Sequence, residues 1–258
     1  MQGDPLTRLR TVVQVLGAGS AAAYLALKVG NRLGVAGGPV ATMHSRHAQF
    51  PLFCRAGTSD VDVFTQILVN REYRCLDHVE EASLVIDCGA NVGYSAAYFL
   101  TRFPRAFVVA VEPDPGNFAL LVRNLAPYEG RARAMHTGVW SHATGLAIAE
   151  DKSGDGREWA VTVREARAGE RPAMTATDVA SLLAASGHPR ISILKVDVEG
   201  AERVIFAGRP GPWLDVVDNL VIELHGAECE AVFHRAIADR GFEVSRCDEL
   251  TVCRRRPS

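Results

Sequence analysis

Residues 84–95, Leu-Val-Ile-Asp-Cys-Gly-Ala-Asn-Val-Gly-Tyr-Ser, constrain the fold of this chain more than any other segment. The apolar run ends at Asp87, and a turn containing Gly89 and Gly93 follows it. A short apolar run bounded by turn-forming residues is typical of a buried parallel strand. Glycines in the turn allow backbone to approach a ligand closely, because they carry no Cβ. The segment therefore predicts a strand, a ligand-binding turn and the beginning of a helix.

The spacing of the two glycines distinguishes between two kinds of nucleotide-binding turn. A dinucleotide-binding turn has the pattern Gly-x-Gly-x-x-Gly, in which the middle glycine allows the pyrophosphate to approach the backbone. Here the glycines are four positions apart and the middle glycine is missing. A carboxylate at Asp87 would repel a pyrophosphate, but it can accept a hydrogen bond from an ammonium group. The turn therefore favours S-adenosylmethionine, whose amino-acid end is cationic.

A second apolar run, residues 106–111, ends in the sequence Glu112-Pro113-Asp114. A carboxylate at the tip of the second strand of a doubly wound sheet can accept hydrogen bonds from a ribose diol. Glu112 lies 25 residues after Asp87, which is close to the spacing expected for such an acid. The two strands, the turn and the helix form one βαβ unit that predicts a nucleoside ligand. The alternative is a βαβ unit that binds nothing.

Two further strands are predicted to bring acidic residues and a histidine to the same edge of the sheet. One strand ends near Lys195, Asp197 and Glu199, which alternate and so share one face. Another strand delivers Glu223 and His225. Strand ends in an open α/β sheet border the crevice where ligands bind. The alternative is that Lys195 and the neighbouring acids form a solvated ion pair.

Four motifs follow one another in the chain: Asp87-x-Gly89-Ala90-Asn91-x-Gly93-Tyr94-Ser95, Val111-Glu112-Pro113-Asp114-Pro115-x-Asn117-Phe118, Leu194-Lys195-Val196-Asp197-Val198-Glu199-Gly200-Ala201-Glu202, and Ile222-Glu223-Leu224-His225. Together they resemble the FkbM-type methyltransferases, which depend on S-adenosylmethionine and have the class I methyltransferase fold. The resemblance implies O-methylation of a hydroxyl on a sugar or another specialised metabolite, as in natural product biosynthesis. It does not identify the acceptor.

The resemblance also suggests a cofactor-binding role for specific residues. The methionine part, the ribose and the adenine would be bound by the β-strand tips and the glycine turn, while an N-terminal lid would close the methionine end. The residues assigned to cofactor binding are Asp87, Gly89, Asn91, Gly93, Ser95, Glu112, Pro113, Val139, Trp140, Asp197, Ser59 and Asp60. Alternatives remain for two of these groups: Trp140 as a core residue, and Ser59 with Asp60 as a helix N-cap.

Methyl transfer is an in-line displacement at the sulfonium methyl, so the enzyme aligns an acceptor oxygen and removes its proton. His225 is the preferred general base, because an unperturbed imidazole titrates near neutral pH. Asp197, Glu199 and Glu223 are the competing catalytic candidates. No metal-ligand set is predicted, although a carboxylate pair holding a divalent ion would also lower the pKa of an acceptor hydroxyl.

The predicted fold class is α/β: a doubly wound, Rossmann-like, mostly parallel sheet with an antiparallel C-terminal strand. With 258 residues and 48% hydrophobic content, the chain can bury one sizeable core. Residues 1–80 are expected to form a lid region with a hairpin between residues 40–44 and 50–54. Residues 81–258 are expected to form the S-adenosylmethionine-binding domain, interrupted by a hairpin whose tip lies near residues 150–157.

The N-terminal segment needs a separate interpretation, because apolar residues 12–29 follow Arg8 and Arg10. This arrangement superficially resembles a signal peptide or a short membrane span. Seven of its 18 residues are Ala or Gly, which are weakly hydrophobic, so we expect no stable membrane insertion. We expect instead an amphipathic helix that packs on the core or caps the site, with a homodimer contact as the alternative. The apolar face is predicted from Leu6, Leu9, Val13, Leu16 and Ser20.

Composition restricts the partners and the compartment. The net charge is −2, and the one basic block is Arg254-Arg255-Arg256 at the C-terminus, so nucleic-acid binding is not expected. Six cysteines without a Cys-x-x-Cys pair predict reduced thiols in the cytoplasm.

The expected substrate is a hydroxylated small molecule. An NAD-linked oxidoreductase and a non-catalytic cofactor-binding protein remain the alternative functions.

Overall fold

The structure is a computed structural model that describes residues 5–35, 38–148, 163–208 and 210–256. Its α-helices are α1 (Pro5–Arg32), α2 (Asp60–Phe64), α3 (Tyr94–Arg102), α4 (Pro115–Leu125), α5 (Val179–Ser186), α6 (Glu202–Ile205) and α7 (Ala227–Ile237). Its strands are β1 (Ala41–Ser45), β2 (Ala48–Cys54), β3 (Leu84–Cys88), β4 (Phe107–Val111), β5 (Ala132–Met135), β6 (Gly138–Val139), β7 (Thr144–Ile148), β8 (Val163–Glu165), β9 (Met174–Thr177), β10 (Ile191–Val196), β11 (Val217–Glu223), β12 (Phe242–Cys247) and β13 (Leu250–Arg255).

A seven-stranded sheet with the order β12-β13-β11-β10-β3-β4-β5 forms the centre of the molecule. Strands β5, β4, β3, β10 and β11 pair in parallel, whereas β13 is antiparallel to both of its neighbours. The predicted doubly wound sheet of the class I methyltransferase fold is confirmed. The predicted antiparallel C-terminal strand is confirmed as β13, which forms a hairpin with β12.

The two faces of the sheet belong to two separate hydrophobic clusters, because alternate residues of a strand point to opposite faces. In β3, Val85 belongs to the cluster that includes α1, α3 and α4. Leu84 and Ile86 belong to the other cluster, which includes α5, α6 and α7. All of β3 is buried, as expected for a strand covered on both faces. The apolar run of β3 is thus buried in the sheet, and the polar residues that follow it lie at the edge of the sheet.

The N-terminal region packs on the face of the sheet that carries α3 and α4. Strands β1 and β2 form the predicted antiparallel hairpin, with Ala41 opposite Cys54. The Tyr94 hydroxyl donates a hydrogen bond to the Phe53 carbonyl at 2.8 Å, and the Phe53 N–H donates to Asn124 Oδ1 at 2.8 Å. These bonds attach the hairpin to α3 and α4.

Helix α1 is interrupted at Gly17, where φ is 73° and ψ is 162°. The predicted apolar face is wrong for its first half: Leu6, Leu9 and Val13 are exposed, while Leu16 and Ser20 are buried. The contact with the β1–β2 hairpin orients α1, because the Arg46 N–H donates to the Val15 carbonyl at 2.9 Å. The buried side of α1 consists of Val12, Val15, Leu16, Ser20, Ala21, Tyr24 and Leu27.

A second, four-stranded sheet with the order β6-β9-β7-β8 follows β5 along the chain. Strands β7 and β8 are antiparallel, with Leu146 opposite Glu165, and they flank residues 149–162. The predicted hairpin is therefore present where its strands are described. The loop predicted near residues 150–157 lies outside the described residues.

We predict that Gly89→Ala destabilises the fold severely. A Cβ on Gly89 would lie 1.8 Å from the Asp197 carbonyl oxygen, and φ at Gly89 is +82°. The expected loss is roughly 3 kcal/mol or more in the free energy of unfolding, measured by urea denaturation. Gly187→Ala is the matched control, because φ is +73° but no atom lies within 4 Å of the added Cβ. Its expected cost is about 1 to 2 kcal/mol. Equal losses for both variants would contradict the steric argument.

Candidate active site

The carboxyl ends of four neighbouring parallel strands form one edge of the central sheet. Asp87 lies near the end of β3, and Glu112 directly follows β4. Asp197 directly follows β10, and Glu223 is the last residue of β11. This edge is where open α/β sheets bind ligands. The structure thus brings together the acids that the sequence places at separate strand ends.

The turn after β3 is held by its neighbours on both sides. The Gly89 and Ala90 N–H groups donate to the Val111 carbonyl at 3.0 and 2.9 Å. The missing Cβ of Gly89 leaves room for the Asp197 carbonyl, and that of Gly93 leaves room for Leu121. Packing within the protein therefore requires a glycine at position 89, and a φ of +88° favours one at position 93. Their contact with the cofactor stays a prediction.

Asp87 and Lys195 form a buried ion pair at the centre of this edge. Asp87 is fully buried, and Lys195 is 2% exposed. Lys195 Nζ lies 3.3 Å from Asp87 Oδ1 and 3.5 Å from Asp197 Oδ2, and it donates a hydrogen bond to the Gly89 carbonyl at 2.5 Å. The solvated ion pair considered from the sequence is therefore wrong for Lys195. Burial alone would lower the pKa of Lys195, but Asp87 and Asp197 outweigh burial and raise it above its ordinary value.

Asp87 also retains hydrogen-bonding capacity that the rest of the described chain does not use. Its Oδ2 accepts a hydrogen bond from the Ser95 hydroxyl at 2.6 Å. Its Oδ1 is buried and faces Lys195 Nζ at 3.3 Å, and it makes no other polar contact among the residues that the structure describes. A carboxylate oxygen has two lone pairs, so Oδ1 can accept from a second ammonium group as well. This observation fits the predicted position of the methionine amino group.

Glu112 is 6% exposed and fixed by backbone donors. Its Oε2 accepts from the Asn91 N–H and its Oε1 from the Asp114 N–H, both at 2.9 Å. Asn91 has a left-handed φ of 49°, which turns its N–H toward the carboxylate. Burial raises the pKa of Glu112, while the two backbone hydrogen bonds oppose this rise. Each carboxylate oxygen has a second lone pair, so Glu112 can still accept bonds from ribose hydroxyls.

Pro113, which follows Glu112, is connected to a histidine that the sequence left outside the motifs. The Pro113 carbonyl lies 3.0 Å from His136 Nε2. The His136 ring stacks on Phe118, with ring centroids 4.8 Å apart. His136 directly follows β5, so the neighbouring strand tips bring it to the ribose side of the crevice.

His225 follows β11 and is held by the buried Glu202. Its Nδ1–H donates to Glu202 Oε1 at 3.0 Å, and Glu202 is 0% exposed. The two oxygens of Glu202 also accept the Val198 and Gly200 N–H groups, at 3.1 and 2.9 Å. Glu202 lies within one of the four motifs, but no pattern in the sequence indicates that it contacts His225. The structure identifies it as the residue that orients the imidazole.

The other ring nitrogen of His225 faces carboxylates. Its Nε2 lies 3.5 Å from Glu199 Oε2, 3.8 Å from Glu223 Oε1 and 3.9 Å from Asp197 Oδ1. Glu199 lies in the turn after β10, with a φ of 52°. The structure thus brings all four predicted catalytic side chains into one cluster.

The cluster changes the titration expected for its members. The hydrogen bond to Glu202 raises the pKa of His225 to about 9, and the charges of Glu202, Glu199 and Asp197 also raise it. Burial raises the pKa of Glu223 to about 7, and Asp197 adds to the rise. His225 is therefore mostly cationic at neutral pH. The unperturbed pKa that favoured it as the base does not apply at this site, because four carboxylates surround the imidazole; its catalytic role stays a prediction.

The same cluster offers a set of metal ligands that was not visible in the sequence. One ligand atom from each of Asp197, Glu223 and His225 lies within 4.8 Å of the others. Oxygen and imidazole ligands suit several divalent cations, and the carboxylate of Glu202 on Nδ1 is the usual second partner of a ligating histidine. Either a proton on His225 or a bound divalent ion can thus offset the negative charge of Asp197 and Glu223.

Val139 and Trp140 are both buried beside the second sheet. Trp140 Nε1–H donates to Glu165 Oε1 at 2.9 Å, and its backbone N–H donates to the Thr177 carbonyl at 2.8 Å. Both residues belong to the hydrophobic cluster that contains Val111. The structure places Trp140 as the core interpretation expects, and its contact with adenine stays a prediction.

Ser59 and Asp60 lie at the beginning of α2, on the ribose side of the crevice. Asp60 is 1% exposed and accepts hydrogen bonds from Arg55 Nε and Nη2 at 2.9 and 2.7 Å. Arg55 Nη2 also donates to Asn117 Oδ1 at 2.7 Å, within the Glu112 motif. Ser59 makes no side-chain capping bond. The lid role stays a prediction, now with Arg55 and Asn117 as the residues that connect the segment to α4.

The crevice contains more acidic than basic side chains. Glu72, from the N-terminal region, has its pKa raised by burial, and the charges of Lys195 and Asp197 also act on it. Five carboxylates, those of Asp87, Asp197, Glu199, Glu223 and Glu72, thus accompany the cations Lys195 and His225. This excess of negative charge suits a cationic ligand and opposes a pyrophosphate.

The sheet topology, the acid at each strand tip and the glycine turn define a class I methyltransferase. The Methyltransferase FkbM domain profile matches residues 87–244, which is more than half of the chain. The chain therefore belongs to the FkbM methyltransferase family, and this family implies S-adenosylmethionine as the methyl donor.

Two curated relatives and one solved structure illustrate the similarity. Methyltransferase 1 of Beauveria bassiana is 26% identical over 182 residues, covering 63% of this chain and 73% of that protein. The AMB antimetabolite synthetase AmbE of Pseudomonas aeruginosa is 27% identical over 205 residues, covering 63% of this chain and 10% of that protein. A methyltransferase structure from Geobacter sulfurreducens has a TM-score of 0.41 and 14% identity, covering 72% of this chain and 77% of that chain.

We predict that Glu112→Gln weakens S-adenosylhomocysteine binding by roughly 10- to 100-fold, because ribose hydroxyls lose a charged acceptor. Isothermal titration calorimetry measures this change. Glu129→Gln, at an exposed position, is the control and should leave the affinity unchanged. NAD should produce no binding heat with either variant or with the unmodified chain. Unaltered affinity in Glu112→Gln would contradict the ribose role.

We also predict that NMR titration of His225 gives a pKa near 9, and that Glu199→Gln lowers it. The sign follows from charge, because removing a neighbouring anion destabilises the imidazolium. Glu230→Gln, at an exposed position on α7, is the control. A His225 pKa near 6.5 in the unmodified chain would show that the Glu202 pair does not form.

Proposed function

We propose that this chain transfers the methyl group of S-adenosylmethionine to a hydroxyl oxygen of a small-molecule acceptor. The observation that carries the proposal is the His225–Glu202 pair beside the cofactor crevice. A hydroxyl oxygen becomes a competent nucleophile for in-line displacement only as its proton leaves, so a positioned proton acceptor favours oxygen as the methylated atom. S-adenosylmethionine supplies the electrophilic methyl when bound.

His225 serves as the proton acceptor in this proposal. Glu202 holds the Nδ1–H, so Nε2 is the nitrogen that takes up the proton of the acceptor. A pKa of about 9 leaves about 1% of the imidazole neutral at pH 7. A bound cofactor carries positive charge on its sulfonium and ammonium groups, and a nearby cation lowers the pKa of an imidazole. Glu223, with a pKa of about 7, is the competing base.

The acceptor in our proposal is a hydroxylated specialised metabolite. One relative, AmbE, is named an antimetabolite synthetase, which supports this chemical class. The acidic crevice supports it further, because closely spaced carboxylates repel the phosphates of a nucleic acid. The same repulsion disfavours an NAD-linked oxidoreductase. A non-catalytic cofactor-binding protein would bind S-adenosylhomocysteine and transfer no methyl group.

Methyl transfer from labelled S-adenosylmethionine to a panel of hydroxylated acceptors tests the proposal. We expect the rate on any accepted substrate to rise between pH 7 and pH 9, because the imidazole must be neutral to take up a proton. His225→Ala should lower this rate by roughly 10²- to 10⁴-fold while preserving S-adenosylhomocysteine affinity. Glu202→Gln should lower the rate as well, because the imidazole loses its orienting anion.

Three outcomes would contradict the role of His225. Full activity in His225→Ala would exclude it as the base. A rate that levels off above pH 7 in the unmodified enzyme would favour Glu223. Activity that disappears with a chelator, together with one divalent ion per chain by elemental analysis, would assign Asp197, Glu223 and His225 to a metal.

A further inference from the structure

The charges of this chain are distributed unevenly along the sequence. Residues 5–59 contain no aspartate or glutamate. All remaining residues together carry 22 basic and 30 acidic side chains, so the net charge of −2 conceals a strongly basic N-terminal segment. The six basic side chains of this segment are Arg8, Arg10, Lys28, Arg32, Arg46 and Arg55.

The same segment exposes large apolar side chains on α1. Leu6 is 66% exposed, and Leu9 and Val13 follow at helical spacing with 43% and 41% exposed. Beyond Gly17, Leu25 and Val29 are 43% and 54% exposed. Arg8, Arg10 and Arg32 are exposed on the same helix. Exposed leucines and valines together with basic residues are typical of a helix that lies in a membrane interface.

The opposite side of α1 is attached to the rest of the protein. The Tyr24 hydroxyl and Thr65 Oγ1 lie 3.1 Å apart, and Lys28 pairs with Asp62. Asn31 Nδ2 donates to the Thr58 carbonyl at 2.6 Å. The stretch Leu6–Arg32 is long and apolar enough to cross a membrane by length and composition, and 39% of its most apolar window is buried. Crossing a membrane would break these contacts, whereas lying on its surface preserves them.

A basic cavity of about 460 Å³ lies next to the hairpin turn between β1 and β2. The hairpin turn that carries Arg46 and His47 contacts α1 through the Arg46 N–H. Arg102 is the last residue of α3, so the cavity lies at the end of the sheet opposite to the active site. The residues that line it are Arg46, His47, Arg71, Asp77, Tyr98, Thr101 and Arg102.

The polar groups of this cavity are incompletely satisfied within the protein. Arg71 pairs with Asp77 at 2.6 Å and has a left-handed φ of 56°. The atoms Arg71 Nε and His47 Nε2 are buried, and the described part of the chain provides neither with a hydrogen-bond partner. The lining includes three guanidinium groups and one carboxylate, and one of the guanidinium groups, that of Arg102, also donates to the Asp77 and Val79 carbonyls at 3.0 Å. Burial and the neighbouring Arg71 and Arg46 lower the pKa of His47, so the arginines carry the positive charge. A cavity with this charge and volume suits a phosphate group.

We propose that the N-terminal face, defined as the exposed side of α1 together with this cavity, binds an anionic phospholipid bilayer. Helix α1 lies in the interface with its exposed leucines and valines among the acyl chains, and a lipid headgroup phosphate occupies the cavity. A second copy of the chain fits this face less well, because a two-fold contact would bring two basic segments together. Nucleic acid fits less well, because it offers no apolar surface to the leucines.

Co-sedimentation of the full chain with lipid vesicles tests the proposal. We expect binding to vesicles of phosphatidylcholine containing phosphatidylglycerol, little binding to phosphatidylcholine alone, and weaker binding as salt rises. Arg10→Glu with Arg46→Glu should reduce binding at least tenfold, because each basic residue near an anionic surface contributes about 1 kcal/mol. Leu9→Ser with Val13→Ser should reduce it as well. All variants should keep their S-adenosylhomocysteine affinity, so the result is independent of the proposed methyl transfer.

Matched controls distinguish binding through the N-terminal face from a general effect of changing surface charge or hydrophobicity. Arg235→Glu and Val244→Ser change exposed residues outside the N-terminal segment and should leave binding unchanged. The proposal is overturned by equal binding to neutral and anionic vesicles, or by chain that resists alkaline extraction from them. It is also overturned if inorganic phosphate binds in the cavity while vesicles do not. Loss of a dimer in Leu9→Ser with Val13→Ser, without vesicle binding, would assign the face to a second copy.

Discussion

The buried ammonium group of Lys195 is the interaction on which the active-site edge depends. It lies between Asp87 on β3 and Asp197 after β10, and it donates to the Gly89 carbonyl in the glycine turn. Removing one partner of a buried pair is costly, because the other charge stays uncompensated. Lys195 therefore compensates the charges of Asp87 and Asp197, so the ends of β3 and β10 can lie close together. The close contact of Gly89 with the Asp197 carbonyl depends on the same approach.

From Lys195 the charges alternate across the edge, through Asp197 and His225 to Glu202. Each cation is in contact with two or more acids, and Glu202 accepts hydrogen bonds at both of its oxygens. The arrangement raises the pKa of His225 and lowers that of Glu202, although burial opposes both changes. The remaining excess of carboxylates gives the crevice its preference for a cationic cofactor. In our proposal, one set of charges thus supplies both the base and the binding site for the sulfonium cofactor.

Much of the fold could be predicted from the sequence, because buried parallel strands are continuous apolar runs that end at recognisable acids and glycines. The burial of Lys195, the contact of Glu202 with His225 and the orientation of α1 could not. For Lys195 a solvated ion pair stayed open as the alternative, because alternation places it on a face but does not show that the face is covered. The raised pKa of His225 could not be predicted either, since its acidic neighbours come from the ends of two separate strands. In α1, the bond to the hairpin and the break at Gly17 override the spacing of the leucines.

Helix α1 connects the hairpin turn beside the basic cavity to residues 57–60, the segment predicted to act as a lid. Its first half contacts the hairpin at Arg46, and near its end Asn31 Oδ1 accepts from the Gly57 N–H at 2.9 Å. The segment continues to Asp60, which holds Arg55 against Asn117 on α4. Because hydrogen bonds are continuous along this path, we expect a displacement of α1 to move the contacts around Asn117, in the motif that contains Glu112. Docking through the exposed side of α1 would leave this path intact, whereas insertion across a bilayer would remove it.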